Sequence, residues 1–319
     1  MFNFIVRSGL RKLITLFFVS VISFAIIHIA PGEPSQIDPL NPRFTEEDLK
    51  RYRAAFDLDK PLYKQYLLFY KKFFTGTLRS FKDNQPVLTK ILQRFLNSLP
   101  LLIVGMILTW CLAFPLGISS ALVRGSVYDR ATTFVSFALI SLPGFFLAYL
   151  LIIFVVDMFE VPVLGLRTFG REGIGPLYST MDRVWHLVLP SFLSATGGIA
   201  FISRYVRAMM LEVMNQDYVR TAQAKGLAGD KVYYVHALRN AMLPFVTMFG
   251  MLLPALIGGS VIVETIFAWP GMGRMAFEAI LTRDYPVILT VNFVAAVLTL
   301  AGTFVSDLLY MVVDPRIKL

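Results

Sequence analysis

Six long apolar runs set the limits on what this chain can become. They cover residues 13–30, 99–121, 131–156, 187–206, 243–267 and 287–313. A helix rises about 1.5 Å per residue, so about 20 apolar residues cross a hydrocarbon core about 30 Å thick. A spanning strand would instead show about 10 residues of alternating character, so these runs read as helices. Charged residues make up only 16% of the 319, against about 25% in soluble proteins. That is too few to coat the one or two soluble domains a chain of this length would form. The fold class is therefore an all-α integral membrane protein with six transmembrane helices.

The first run follows Arg7, Arg11 and Lys12, which resemble the basic region of a signal peptide. Its apolar part is long for that role. The following Pro31-Gly32-Glu33-Pro34 is no small-x-small cleavage site, so it is expected to stay as an anchor. Lys and Arg in short loops set orientation. With a cytoplasmic N-terminus, thirteen basic residues lie inside, from Arg7 through Arg124, Arg204 and Lys225 to Lys318. The two short outer loops hold five: Arg167, Arg171, Arg183, Arg274 and Arg283. Both termini are thus expected in the cytoplasm. The net charge of +9 then faces anionic headgroups on the inner leaflet rather than nucleic acid. Cys111 is the single cysteine, which excludes an internal disulfide framework and a thiolate metal cage.

Three regions follow: 1–30 as cytoplasmic N-terminus and first span, 31–98 as an external loop, and 99–319 as a five-helix core. The external loop is partly helical in pattern. Thr45-Glu-Glu-Asp48 resembles a capping box ahead of a helix over 49–56. Asp59, with Pro61 close behind, opens a second helix over 62–74, which carries Tyr63, Tyr66, Tyr70 and Phe73 on one stripe. A third candidate covers 87–95. Such aromatics suit either interfacial helices resting at headgroup depth or a docking surface for an external partner.

Residues 209–242, between the fourth and fifth runs, are too many for a plain connector and are polar without being disordered in composition. Asp217 can cap a helix over 218–225, with Gly226 where a left-handed C-terminal residue is favoured. Asp230 can cap a second helix, 231–242, ended by Pro244. Tyr218, Val219 and Ala222 give the first helix an apolar face suited to pressing into a partner.

This loop resembles the cytoplasmic loop of permease subunits of ATP-binding-cassette importers, whose pattern is Glu-Ala-Ala, three residues, Gly, nine residues, Ile-x-Leu-Pro. Aligned on Gly226, the pattern is met by Ala222, Gly226 and Leu238, while Arg220, Thr221, His236 and Arg239 replace Glu, Ala, Ile and Pro. The fuller run Asp217-Tyr-Val-Arg-Thr-Ala-Gln-Ala-Lys-Gly226, then His236-x-Leu-Arg-Asn240, is similar to the variant of dipeptide and oligopeptide permeases. So are Asp59-Lys-Pro-Leu-Tyr63 with Gln65-Tyr66, Pro86-Val87 and Ser141-Leu-Pro-Gly-Phe145. Glu264-x-x-Phe-x-Trp-Pro-Gly-Met-Gly273, Asp284-Tyr-Pro-Val287 and Asp314-Pro-Arg316 complete the series, in order along almost the whole chain. The resemblance implies a type I importer fold in the cell inner membrane and transport of peptides delivered by an external binding protein. It also implies a second similar permease and two cytoplasmic ATPases, which would bind the ATP and Mg; no cofactor is expected in this chain. Asp217, Tyr218, Arg220, Thr221, Ala222, Lys225, Gly226, His236 and Arg239 would meet an ATPase. Nickel chelates, glutathione or oligosaccharides are alternative cargoes within the same family.

Other residues carry weaker signals. Ionisable groups inside spans cost about 2.5–3.5 kcal/mol at mid-depth. Glu264 and Asp307 are the candidates, and both lie toward helix ends. They are expected in structural ion pairs, Asp307 with Arg204 or Arg207 and Glu264 with Arg274, ahead of the alternative of direct contact with cargo. Pro143-Gly144 in the third run, and Pro254 with Gly258-Gly259 in the fifth, are flex points, so these two helices are expected to line the pathway. Gly197-Gly198 marks close helix packing or bending. Gly271-Met-Gly273-Arg-Met-Ala276 spells a dinucleotide fingerprint but follows an apolar run, not a strand, and reads as a tight turn resting on Trp269. His28, His186 and His236 stand alone, without metal-ligand spacing. An ion-coupled secondary transporter would want mid-membrane carboxylates and an inverted repeat. A membrane hydrolase would want a His at mid-depth. The sequence shows neither set, so no catalytic residue is expected and ATP hydrolysis is assigned to partner subunits.

Overall fold

The computed structural model describes residues 2–29, 46–170, 175–229, 231–242, 244–245, 248 and 260–313. The elements are α1 (Phe2–Ile29), α2 (Glu46–Ala55), α3 (Leu62–Phe74), α4 (Val87–Leu122), α5 (Val127–Ser141), α6 (Gly144–Phe159), α7 (Pro176–Met214) and α8 (Asp217–Ala224). A π-helical stretch, Lys231–Ala237, runs into α9 (Leu238–Ala241), and α10 (Val261–Ile266), α11 (Met272–Leu281) and α12 (Tyr285–Val313) follow. Strands are absent among the described residues, apart from one isolated bridge between Arg79 and Pro86.

Among the described residues, four helices are long and apolar enough to cross a membrane: 7–29 of α1, α4, α7 and 285–305 of α12. The third expected span is not one straight helix. It is the pair α5 and α6, which meet at 105°. The cause is local: the ring of Pro143 excludes the helical region for the residue before it, and Leu142 is extended at φ −80°, ψ 129°. Counting this pair as one span gives five. The expected fifth run, 243–267, lies largely outside the described residues, as do Asp230, Gly250, Pro254, Gly258 and Gly259. The short helix expected over 87–95 and the second span are one continuous helix, α4, with Pro100 and Pro115 inside it.

The chain divides into two compact units. One comprises 1–97, 253–261 and 271–319; the other 98–252 and 262–270. In the first, α1 and α12 pack along each other. Phe24 of α1, Phe69 of α3, Leu78, Val87 and Ile91 form a core with Met272, Met275 and Ala279 of α11 and Val287 and Leu289 of α12. The aromatic stripe of α3 is turned into that core at Tyr66, Tyr70 and Phe73, whereas Tyr63 is exposed. Pro61, not Asp59, is the residue that precedes α3 as its cap. A cavity of about 180 Å³ lies within this unit, lined among others by His28, Asp57, Gln65, Lys72 and Tyr285. The tie between α11 and the strap after α3 is polar: buried Asp284 accepts from the Ser80 hydroxyl and, at 2.9 Å, from the Phe81 N–H.

The second unit is organised on α7. One end packs Leu101, Ala148, Leu193, Val263, Phe267 and Trp269. The other end packs Ala113, Ala121, Ile202, Val206 and Met210 against Val219, Ala222, Val232, Ala237, Ala241 and Phe245. α4 and α7 approach closely because glycines face the crossing. A Cβ on Gly117 would stand 2.5 Å from the Ser203 carbonyl oxygen, and one on Gly198 2.8 Å from Thr109 Cγ2. Gly197, beside it, faces open space.

Candidate coupling site

The 39-residue α7 ends at Met214, and Asn215 and Gln216 alone separate it from α8. Gln216 is extended and occupies the cap position; Asp217 is the first helical residue, favourable there because its charge faces the positive helix end. α8 closes in a left-handed turn. Gly226 has φ +76°, the Gly226 N–H reaches the Gln223 carbonyl at 2.9 Å, and the Leu227 N–H reaches that of Ala222 at 3.4 Å. This 5→2 and 6→1 pairing satisfies carbonyls that the helix end would orphan.

The apolar face of α8 is used inside the chain. Val219 is fully buried and Ala222 is 8% exposed, both against α7 and the π-helical stretch. Ala222 is therefore not on the surface that a partner would meet, contrary to the sequence reading. Periodicity located the apolar face, and only the fold shows what fills it. The open face is polar: Asp217, Arg220, Thr221, Gln223, Lys225 and Gly226 are exposed, with Tyr218 at 42%. The Tyr218 hydroxyl accepts from Asn240 Nδ2 at 2.7 Å, which fixes α8 to α9. Arg239 of α9 is exposed on the same loop. The backbone of His236 is in the π-helical stretch, and its side chain lies outside the described residues. A cleft of about 680 Å³ opens between this loop and the α4–α5 turn, lined among others by Arg124, Ser126, Met214, Asn215, Gln223 and Tyr233.

The pairing of Asp307 differs from that expected. Arg207 does not meet Asp307; it grips Asp129 of α5, with Nε 2.6 Å from Oδ1 and Nη2 2.8 Å from Oδ2. Arg204 lies 3.9 Å over the Phe137 ring, a cation–π contact. Asp307 instead accepts from Lys12 of α1 at 3.2 Å. Buried Glu264 accepts from the Ser98 hydroxyl at 2.7 Å, and Arg274 Nε donates to Glu278 at 2.8 Å, one turn along α11. Asp129 and Lys12 were the residues missed. Ser126 caps α5 by accepting from the Asp129 N–H at 3.2 Å, so a serine three residues before an acid marked the helix start that places this carboxylate. A further missed node is Asp182. It accepts from the Thr168 N–H and hydroxyl at 2.8 and 2.6 Å and faces the buried His186, whose Nδ1 is 2.8 Å from the Asp182 carbonyl. Pro143 and Gly144 are exposed at the α5–α6 bend.

These features define a multi-helix membrane chain with one structured, polar-faced loop, and comparison with known proteins places it. Residues 113–319 match the model of the binding-protein-dependent transport system inner membrane component, and residues 1–103 match the model of that component's N-terminal part. The chain belongs to this family and is a multi-pass protein of the inner membrane. It is similar to the oligopeptide transport system permease protein AppB of Bacillus subtilis, at 37% identity over 99% of each chain. It is also similar to the di/tripeptide transport system permease protein DppB of Pseudomonas aeruginosa, at 37% over 100% of this chain and 99% of that one. The dipeptide transport system permease protein DppB of Escherichia coli K12 is 34% identical over the same shares. A chain of the MetNI methionine ABC transporter, solved in inward-facing form, shares the fold: TM-score 0.55, 18% identity, covering 72% of this chain and 99% of that one.

Proposed function

We propose that this chain is the membrane permease subunit of an ATP-driven importer, and that it moves peptides handed to it by an external binding protein. It works as one of two permeases, over two cytoplasmic ATPases that hold ATP and Mg, with six spans and both termini in the cytoplasm. The observation that carries the reading is the mounting of α8. Val219 and Ala222 root it in the core, two residues join it to α7, and its polar face is open. A partner that moves Asp217, Tyr218, Arg220, Thr221, Lys225, Gly226 or Arg239 therefore moves α7 with them. Such coupling needs a rigid contact with two discrete states, and a buried root supplies the rigidity. The bend at Pro143-Gly144 and the segment holding Pro254 and Gly258-Gly259 are the parts of the pathway that respond. The ordering of relatives by cargo favours short peptides, since three similar chains carry oligopeptide, di/tripeptide and dipeptide in their names.

The test is uptake into proteoliposomes holding the chain with its co-purifying subunits. Di- and tripeptide uptake should need ATP and survive collapse of the proton gradient. Uptake that follows the proton gradient without ATP would replace this reading with an ion-coupled transporter. Gly226→Leu forces a side chain into a left-handed backbone position and should raise ATP consumed per peptide; normal uptake with normal complex yield would remove α8 from the coupling path.

A further inference from the structure

Asp129 is 4% exposed and its carboxylate accepts four hydrogen bonds. Besides the two bonds from Arg207, it accepts from the Ser120 hydroxyl at 2.5 Å and from the Gly125 N–H at 2.9 Å. One carboxylate thus ties the last turn of α4, the α4–α5 turn and the start of α5 to α7. Arg207 stands ten positions before Asp217, seven of them within unbroken α7, so the pair lies about 10 Å along the helix from the end of α7. Further along, the Ser136 and Ser203 hydroxyls meet at 3.4 Å and Arg204 covers Phe137, so α5 follows α7 over much of its length.

We propose that the Asp129–Arg207 fork is the positioning contact that carries movement of α8, through α7, into the bent α5–α6 pair. This deepens the coupling role given to α8 above and rests on it. A buried pair of this kind adds little stability over an apolar pair of the same volume, but it fixes register. The guanidinium meets both oxygens at once, which a lysine ammonium cannot reproduce. Without the fork, α7 can move while α5, and the Pro143 bend beyond it, lags behind. Asp129 and Arg207 touch neither cargo nor nucleotide in this account; they act through the helices they join.

The experiment measures ATP hydrolysed per peptide imported, using the complete importer in proteoliposomes with radiolabelled di- and tripeptides. R207K and D129N should raise that ratio by about 2- to 30-fold, the span seen for single residues in coupling networks, with ATP hydrolysis within roughly twofold of wild type. In a C111S background, D129C/R207C bridged by a bis-thiol reagent should return the ratio toward the wild-type value, because a covalent link replaces the fork. A wild-type ratio in both R207K and D129N overturns the proposal. So does a proportional fall of uptake and hydrolysis that the bridge does not reverse, since that is the mark of a purely structural pair. Should D129N not assemble, S120A, which removes one of the four bonds, is read in the same way. Gly226→Leu run alongside separates the two ideas. If it uncouples while the fork variants do not, only the fork falls; if neither uncouples, the role of α8 falls with it.

Discussion

A single methyl group decides how closely α4 and α7 can cross. A Cβ on Gly117 would press on the Ser203 carbonyl oxygen at 2.5 Å and on Val206 Cβ at 2.7 Å. The first of these is backbone and cannot rotate away. Gly117→Ala is therefore expected to destabilise the chain by about 1–3 kcal/mol, the usual cost of overpacking. Gly197→Ala, where nothing lies within 4 Å, should be tolerated. Thermal unfolding of the two variants in the same detergent checks this; equal midpoints would mean that the helices do not meet at Gly117. The opposite change is expected to help at Ala268, which ends α10 at φ +51° in the same 5→2 and 6→1 pattern as Gly226, with its N–H on the Thr265 carbonyl and that of Trp269 on Glu264. A left-handed alanine carries about 1–2 kcal/mol of steric cost, so Ala268→Gly should raise the unfolding midpoint. Sequence made Gly226 legible, because a glycine after a short polar helix has one common use. It pointed to Gly197-Gly198 as a mark of packing or bending, and within this chain the close approach falls at Gly198. It gave no sign of Gly117, since the demand on that residue is made by α7, eighty-six positions away at Ser203.

Among the elements, the corner between α2 and α3 is held by charge. Asp57 ends α2 at φ +60°, and its carboxylate accepts from Lys60 at 2.6 Å and Lys72 at 2.5 Å. Burial pushes this carboxyl up, but the bonds from Lys60, then Lys72, outweigh it and hold the group below the ordinary aspartate range. Folding thus favours the ionised form. The stabilising contribution is complete above the unfolded value of about 3.9 and is lost as the pH falls through the depressed folded value. Limited proteolysis should cut near residues 55–62 more readily as the pH is lowered from 5 toward 2, and Asp57→Asn should cut readily at both ends of that range. A wild-type cleavage rate in Asp57→Asn at pH 5 would show that the corner does not depend on this charge. The extent of α3 was legible because Pro61 stands just before it and its aromatic spacing is helical, although the cap is Pro61 and not the expected Asp59. Three features were less so. The bend at Pro143 was visible as a flex point, but the residue pattern of 131–156 reads as one span and does not give the 105° angle between α5 and α6. The Lys231–Ala237 stretch has an ordinary helical pattern and adopts π geometry. The apolar face of α8 was read from periodicity, yet an apolar face does not say whether it meets a partner or its own chain.

For the whole molecule, helix length carries the argument about the membrane. α4 has 36 residues and α7 has 39, or about 54 and 58 Å at 1.5 Å per residue, against a hydrocarbon core of about 30 Å. Each must project well beyond the lipid. The apolar run in α4 covers 99–121, so the part that projects is its first turns, 87–98, where Val87 and Ile91 are buried in the core of the first unit. That is why the sequence showed a separate short helix at 87–95: the change from mixed to wholly apolar residues at Leu99 looks like a break, although the backbone runs on through Pro100. Two exposed positions are then expected on opposite sides of the bilayer. Gln93 sits in the projecting turns, and Arg124 sits just beyond the far end of the helix, about 31 residues and more than 40 Å away along the axis. With Cys111 replaced by serine, Gln93→Cys should react with a membrane-impermeant maleimide in intact spheroplasts. Arg124→Cys should react only in inside-out vesicles, and less once the ATPases are bound, because Arg124 lines the cleft beside α8. Labelling of both cysteines from one side would place α4 along the surface rather than through it. Labelling on opposite sides with Arg124 outside would invert the chain and carry α8 out of reach of ATP, which would leave the polar face of α8 with no energy source to receive.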